Sequence, residues 1–233
     1  MAAEKTESRV ISSGNPELDS RMGGGIPAGS LMLIEGSSGA GKSVLSQQII
    51  RGSLDDHYSV SLFTSENGIK SLVSQMESID LDILDFLLLG RLRAYPVELA
   101  RLGQNAPAML LRAMKREKHD IIVVDSFTSA LTRDVADRDI RSFFEECKRL
   151  CAKGQTIIIT LHENAIGGEL INSIRSMCDA HLMLQSDQDG QRLVKTLQVA
   201  KIRGAASVTG AIVGFEVEPG WGMRVIPISK ARG

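Results

Sequence analysis

Residues 36–43 read GSSGAGKS, an instance of G-x-x-x-x-G-K-[ST], and few eight-residue patterns restrict a chain so tightly. The glycines free the backbone to curl with its N–H groups inward around a phosphate, and a helix starting at the Lys-Ser pair adds its partial positive end. Such a loop belongs between a strand and a helix. Both neighbours are legible. LMLIE, residues 31–35, is a continuous apolar run of the buried-strand kind, and helical periodicity follows from Ser43 to about Leu54.

The rest of the chain repeats the alternation. Apolar strands are expected at Val60–Thr64, at IIVVD (121–125), at TIIIT (156–160) and at HLMLQ (181–185). IIVVD is β-branched and uninterrupted, as in a parallel sheet covered on both faces. Helices are expected over Ile69–Ser78, Val97–Lys118, Asp137–Lys153 with Gly154 as its stop, and Glu169–Met177. Residues 79–95 read as a short helix followed by a strand at LLLGRLRAY. From Arg192 the pattern turns to alternation, with Pro219-Gly220 between strands, which predicts antiparallel hairpins at the sheet edge. The expectation is one α/β domain over residues 1–233, its main sheet parallel.

The loop assigns chemistry to positions. Gly36, Ser37, Ser38, Gly39, Ala40, Gly41, Lys42, Ser43 and Val44 are the expected ATP contacts, with Lys42 reaching the β- and γ-phosphates. The Ser43 hydroxyl and Asp125, at the end of IIVVD, are the expected holders of Mg2+, Asp125 through a water of the metal's shell. Glu66 follows the strand ending at Thr64 and reads as the catalytic carboxylate that polarises a water, or as a helix N-terminal acid. Thr160, His162 and Asn164, after TIIIT, are candidate γ-phosphate sensors or structural polar residues. Lys201 and Arg203 stand at alternate positions and project from one face, either as a solvated edge or as a pair reaching a neighbouring subunit's nucleotide.

Composition removes some alternatives. Lys and Arg number 27 against 28 Asp and Glu, a net charge of -1, so no global positive field attracts nucleic acid or an anionic bilayer. The opening MAAEKTESRV is polar, with no leader-like apolar core, and no apolar stretch approaches the ~20 residues of a membrane span, so a soluble, cytoplasmic protein is expected. Cys147, Cys151 and Cys178 are odd in number and widely spaced, which predicts buried core thiols rather than a disulfide frame.

The motifs together carry a resemblance. SSGNPELDSRMGGGIPAGSLMLIEGSSGAGKS is similar to the opening of KaiC-like members of the RecA superfamily, and VVDSFTSAL resembles their Walker B stretch. KIRG, residues 201–204, resembles the KaiC-type finger in which a Lys and an Arg contact ATP across a subunit boundary. Within that family, SLMLIEG, Gln47-Gln48 and the segment around Glu66 resemble the single-domain accessory ATPases of the archaellum, the archaeal flagellum. The resemblance implies a RecA-like fold, a homo-hexamer and weak hydrolysis. It also implies docking to the motor ATPase FlaI beneath the membrane platform protein FlaJ, at the inner face of the membrane. One departure stands out: KaiC's pattern has two adjacent glutamates where this chain has Glu66 and Asn67, which implies a slow ATPase or a nucleotide-binding switch. Two other readings use the same fold. A RecA-like DNA-binding ATPase needs basic loops after the Walker B and sensor strands, and residues 161–180 hold one Lys or Arg, Arg175. A KaiC-like signalling autokinase needs a second, phosphorylating half.

Overall fold

The computed structural model describes residues 9–189, 192–204 and 209–226, so most of the polar opening read for a leader lies outside the described residues. In chain order the elements are β1 (Val10–Ile11), α1 (Pro16–Arg21), β2 (Ile26–Pro27), β3 (Leu31–Gly36), α2 (Lys42–Asp55), β4 (Val60–Thr64), α3 (Ile69–Glu77), α4 (Leu84–Leu88), β5 (Leu92–Pro96), α5 (Ala106–Met114), β6 (Ile121–Asp125), α6 (Asp137–Cys151), β7 (Thr156–His162), α7 (Gly168–Met177), β8 (Ala180–Asp189), β9 (Arg192–Ile202), β10 (Ile212–Glu218) and β11 (Gly222–Ile226).

Among the described residues nine strands form one sheet in the order β11-β10-β9-β8-β3-β7-β6-β4-β5. From β8 to β5 the pairings are parallel, and β9, β10 and β11 continue the sheet antiparallel. The expected α/β architecture with its antiparallel extension is what the chain adopts. β3 lies centrally because it is apolar on both faces. Its residues alternate, Met32 and Ile34 into the layer under α2 and α3, Leu31 and Leu33 into the layer under α5, α6 and α7. In the second layer Phe144 is fully buried, with its ring edge-on to Phe127 and to Phe143, each at 5.5 Å between centroids.

Two expectations are corrected. The helix read from Val97 to Lys118 is broken: a 3-10 stretch, Leu99–Asn105, precedes α5. Gly103 adopts φ 52°, ψ -137°, which no helix accommodates, and Pro107 sits in the first turn of α5, where its missing N–H has no partner to lose. The strand read at LLLGRLRAY starts only at Leu92, because α4 takes the leucines through Leu88 and Gly90, at φ 69°, turns the chain. The two-residue pair β1–β2, which clasps α1, has no periodicity a sequence reading can detect.

Cys147, Cys151 and Cys178 are free and buried, as expected. Burial pushes the Cys151 and Cys178 thiols up to about 12, so they pack as small apolar groups. Among the described residues, no helix is long and apolar enough to cross a membrane.

Candidate functional site

The loop Gly36–Ser43 joins the C-terminal end of β3 to α2, at the edge of the sheet where β4, β6 and β7 also end. Two contacts require glycine. A Cβ on Gly36 would stand 2.4 Å from the Leu184 carbonyl oxygen, so only glycine lets β3 and β8 pair this closely at the loop. Gly41 caps α2 at φ 102°, and a Cβ there would press on the Phe215 ring at 3.1 Å. Ser38 and Gly39 form the exposed tip.

Lys42 is 5% exposed and lies across the loop it closes. Its Nζ donates to the carbonyl oxygens of Gly36 (2.9 Å) and Ser37 (2.7 Å). Burial lowers the ammonium below its ordinary value, and the charges of Glu66, Asp125 and Glu163 oppose that shift. Gly36 O also accepts the Glu163 N–H at 3.1 Å, which ties the turn after β7 to the loop.

Ser43 is the hub. Its hydroxyl lies 3.1 Å from Glu66 Oε2 and 3.3 Å from Asp125 Oδ1. Asp125 is 5% exposed at the end of β6, and its carboxylate also receives Thr160 Oγ1 (2.6 Å) and Ser46 Oγ (3.4 Å). Burial raises its pKa, and the Thr160 hydroxyl works in the other direction. The Asp125–Ser126 peptide is cis. Glu66 itself is exposed, with its carboxylate toward Ser43. Thus α2, β4, β6 and β7 bring Ser43, Glu66, Asp125 and Thr160 to one point.

The donor set is oxygen only. No three His, Cys, Asp or Glu side chains cluster as metal ligands among the described residues. A hydroxyl with one or two carboxylates, the rest left to water and phosphate, fits Mg2+, which keeps several waters and seldom takes an all-protein cage.

The other candidates are placed as follows. Thr160 holds Asp125 directly, a link visible in sequence only as a polar residue ending an apolar strand. His162 is half-buried, with its backbone N–H on Thr128 Oγ1 (2.8 Å), and Asn164 is exposed at φ 60°. Asn67 turns away from the loop: its Nδ2 donates to Gln75 Oε1 (3.1 Å), which also accepts Gln47 Nε2 (3.3 Å). Gln47 therefore fastens α2 to α3, and Asn67 ties the turn before α3 to the same Gln75 oxygen.

Lys201 and Arg203 are set back from their own chain's loop, toward the start of β8. Lys201 pairs across β8 with His181, and His181 pairs with Leu33, whereas Gly36 pairs with Leu184. That separation is three residues of strand, about 10 Å. Lys201 Nζ donates to the carbonyl oxygens of Arg175 (3.0 Å) and Ser176 (3.2 Å). Arg203 lies just past the end of β9, and its side chain reaches Ser176 O (3.0 Å) and Asp179 Oδ1 (3.2 Å). Both cations thus cap the C-terminus of α7.

Sequence reasoning missed Glu35, the residue before the loop. It is 1% exposed and receives Arg175 Nε at 2.8 Å and Nη2 at 3.3 Å, and His181 Nε2 lies 2.6 Å away. Burial pushes its carboxyl up, but the bonds from His181 and Arg175 outweigh it and hold the value below the ordinary one. A depressed folded value means that Glu35 contributes stability above the ordinary glutamate range and loses it as pH falls through the depressed value. Glu35→Gln is accordingly expected to flatten the acid limb of a stability-against-pH curve, measured by denaturant unfolding. The signal in the sequence was an acidic residue inside an otherwise apolar strand. The same pairing takes up Arg175, the one basic residue that a DNA-contacting loop over 161–180 offered.

A parallel sheet in this order, with a phosphate-type loop after its central strand, defines a RecA-type ATPase of the KaiC kind, and residues 11–230 match the model of the KaiC ATPase family. The archaeal flagellar ATP-binding protein FlaH of Sulfolobus acidocaldarius is 31% identical over 229 residues, covering 96% of this chain and 99% of the relative. The crystal structure of flagellar accessory protein FlaH from Methanocaldococcus jannaschii matches with a TM-score of 0.84 at 27% identity, over 95% of this chain and 99% of that one. The KaiC-like protein PH0186 of Pyrococcus horikoshii shares the fold, with a TM-score of 0.77 at 22% identity over 94% and 100% of the two chains. The chain belongs to the KaiC family of ATPases and, within it, to the FlaH proteins.

Proposed function

We propose that this chain, acting as one domain over residues 1–233, is the ATP-dependent regulatory component of an archaeal flagellar motor: a switch that assembles when it binds ATP and hydrolyses it slowly. The observation that carries this reading is the meeting of Ser43, Asp125 and Glu66 beside the buried Lys42. The backbone of residues 36–43 and Lys42 hold the phosphates, with Val44 in the first turn of α2 behind them. Ser43 and Asp125 hold Mg2+, and Thr160 orients Asp125. Bound there, the metal supplies neutralisation of the β- and γ-phosphate charge. Glu66, exposed and with no second carboxylate at Asn67, orients a water with little assistance, which favours slow turnover. Lys201 and Arg203, remote from their own loop, serve the loop of the next copy in a hexamer. FlaI and FlaJ are the partners, and the protein works in the cytoplasm at the membrane's inner face.

The test uses the purified chain. ATP with Mg2+ is expected to convert monomers to hexamers in sedimentation velocity and to strengthen capture by FlaI. Turnover should fall below the roughly 1 s⁻¹ lower end of ordinary enzymes. Equal FlaI capture with and without nucleotide, together with rapid turnover, would sink the switch and leave an ordinary ATPase.

A further inference from the structure

β3 is fastened at both ends to one short stretch of chain, the last turn of α7 and Asp179 just before β8. At its beginning the Leu31 N–H donates to Asp179 Oδ2 (2.9 Å). At its end, one residue before the loop, Glu35 is gripped by Arg175 through two nitrogens. The carbonyls of that same stretch seat Lys201 and Arg203. Arg175 therefore faces two ways. Its side chain holds the strand that carries the loop, its main-chain carbonyl receives Lys201, and the next carbonyl, of Ser176, receives both Lys201 and Arg203.

Nothing in the fold alone asks for this. A buried ion pair contributes little net stability over apolar residues of the same volume. What a two-pronged guanidinium–carboxylate contact adds is fixed distance and orientation. Lys42 Nζ, the group expected to meet phosphate, donates to the Gly36 carbonyl, and Gly36 is bonded to Glu35. The two-pronged Glu35–Arg175 contact links that end of β3 to α7, and α7 carries the seat of Lys201 and Arg203.

We infer that Arg175 is a positioning residue that couples the state of a chain's own phosphate loop to the placement of its Lys201–Arg203 pair, and so to the loop of the next copy. The inference rests on the role across subunits proposed for that pair.

The experiment compares two readouts in the full-length chain: ATP-Mg affinity at high dilution, and the protein concentration at half-assembly with and without ATP. Arg175→Gln should leave affinity within about 3-fold, while the ATP-dependent gain in assembly shrinks by roughly 10-fold, inside the span of ordinary coupling between sites. Arg175→Lys should recover only part, since it keeps the charge and loses the fork. Glu35→Gln/Arg175→Gln should be no worse than Glu35→Gln alone, because Arg175 acts through Glu35, while His181 loses its carboxylate partner in either variant that carries Glu35→Gln. It also carries the test if Arg175→Gln fails to fold with Glu35 left to His181 alone. Assembly of Arg175→Gln at the wild-type level, equal factors lost in affinity and assembly, or additive single effects would each overturn the inference. Lys201→Ala/Arg203→Ala separates the two layers. If that variant assembles normally, the role across subunits fails and the inference falls with it. If it is impaired while Arg175→Gln is not, only the inference falls.

Discussion

Lys42→Ala is expected to weaken ATP binding by at least about 100-fold, the loss of two charge-assisted hydrogen bonds at roughly 1.5–3 kcal/mol each. The ammonium is not a surface charge that a neighbour can replace. It is 5% exposed, fixed across the loop by the Gly36 and Ser37 carbonyls, and surrounded by the charges of Glu66, Asp125 and Glu163. Lys42→Arg should not rescue, because a planar fork does not fit a seat built for a compact ammonium. A titration with a fluorescent ATP analogue reads the effect, and a cooperative melt confirms the fold. Unchanged affinity would remove the loop from the nucleotide site altogether. Retained affinity loss with undiminished FlaI capture would leave the site in place and remove the switch.

Phe144→Ala is expected to cost about 3–5 kcal/mol of stability, the range for a fully buried aromatic ring replaced by methyl. The ring meets Phe127 and Phe143 edge-on, a geometry that adds to plain burial. Phe127 lies two residues beyond Asp125, so the cavity opens behind the turn that carries the magnesium candidate. Denaturant unfolding should show a lower midpoint at unchanged slope. A loss under about 1 kcal/mol would mean that the layer collapses freely around the gap.

The sequence was most legible where one local rule decides. The strands Val60–Thr64 and Ile121–Asp125 appear with the residues expected, because each is a buried apolar run with no competing period. The loop was legible because its spacing is nearly free of context. What escaped reading depends on side chains meeting across the sheet. Thr160 reaches Asp125 only because β6 and β7 are neighbours, a fact of strand order rather than spacing. Glu35 joins Arg175 over a separation of 140 residues, and no periodicity carries that information. Asn67 was noticed as the absence of a second glutamate, but its bond to Gln75 depends on the placement of α3. The broken helix before Met114 was misread although Gly103 and Pro107 were both in view, since helical periodicity on either side continued the apolar pattern through the break.

The Lys201–Arg203 pair is offset from its own chain's loop by three residues or more along β8, about 10 Å for Lys201. Under the proposed contact each copy offers one socket and one plug, and no copy can fit its own. Such a contact is head-to-tail rather than self-complementary, so an unclosed string always leaves a socket empty at one end and a plug idle at the other. Closure into a ring removes both loose ends. A ring closed this way has two unlike faces, and every copy presents the same surface to whatever rests on a given face. A motor component docked there would meet the copies in identical orientation, with a defined top and bottom.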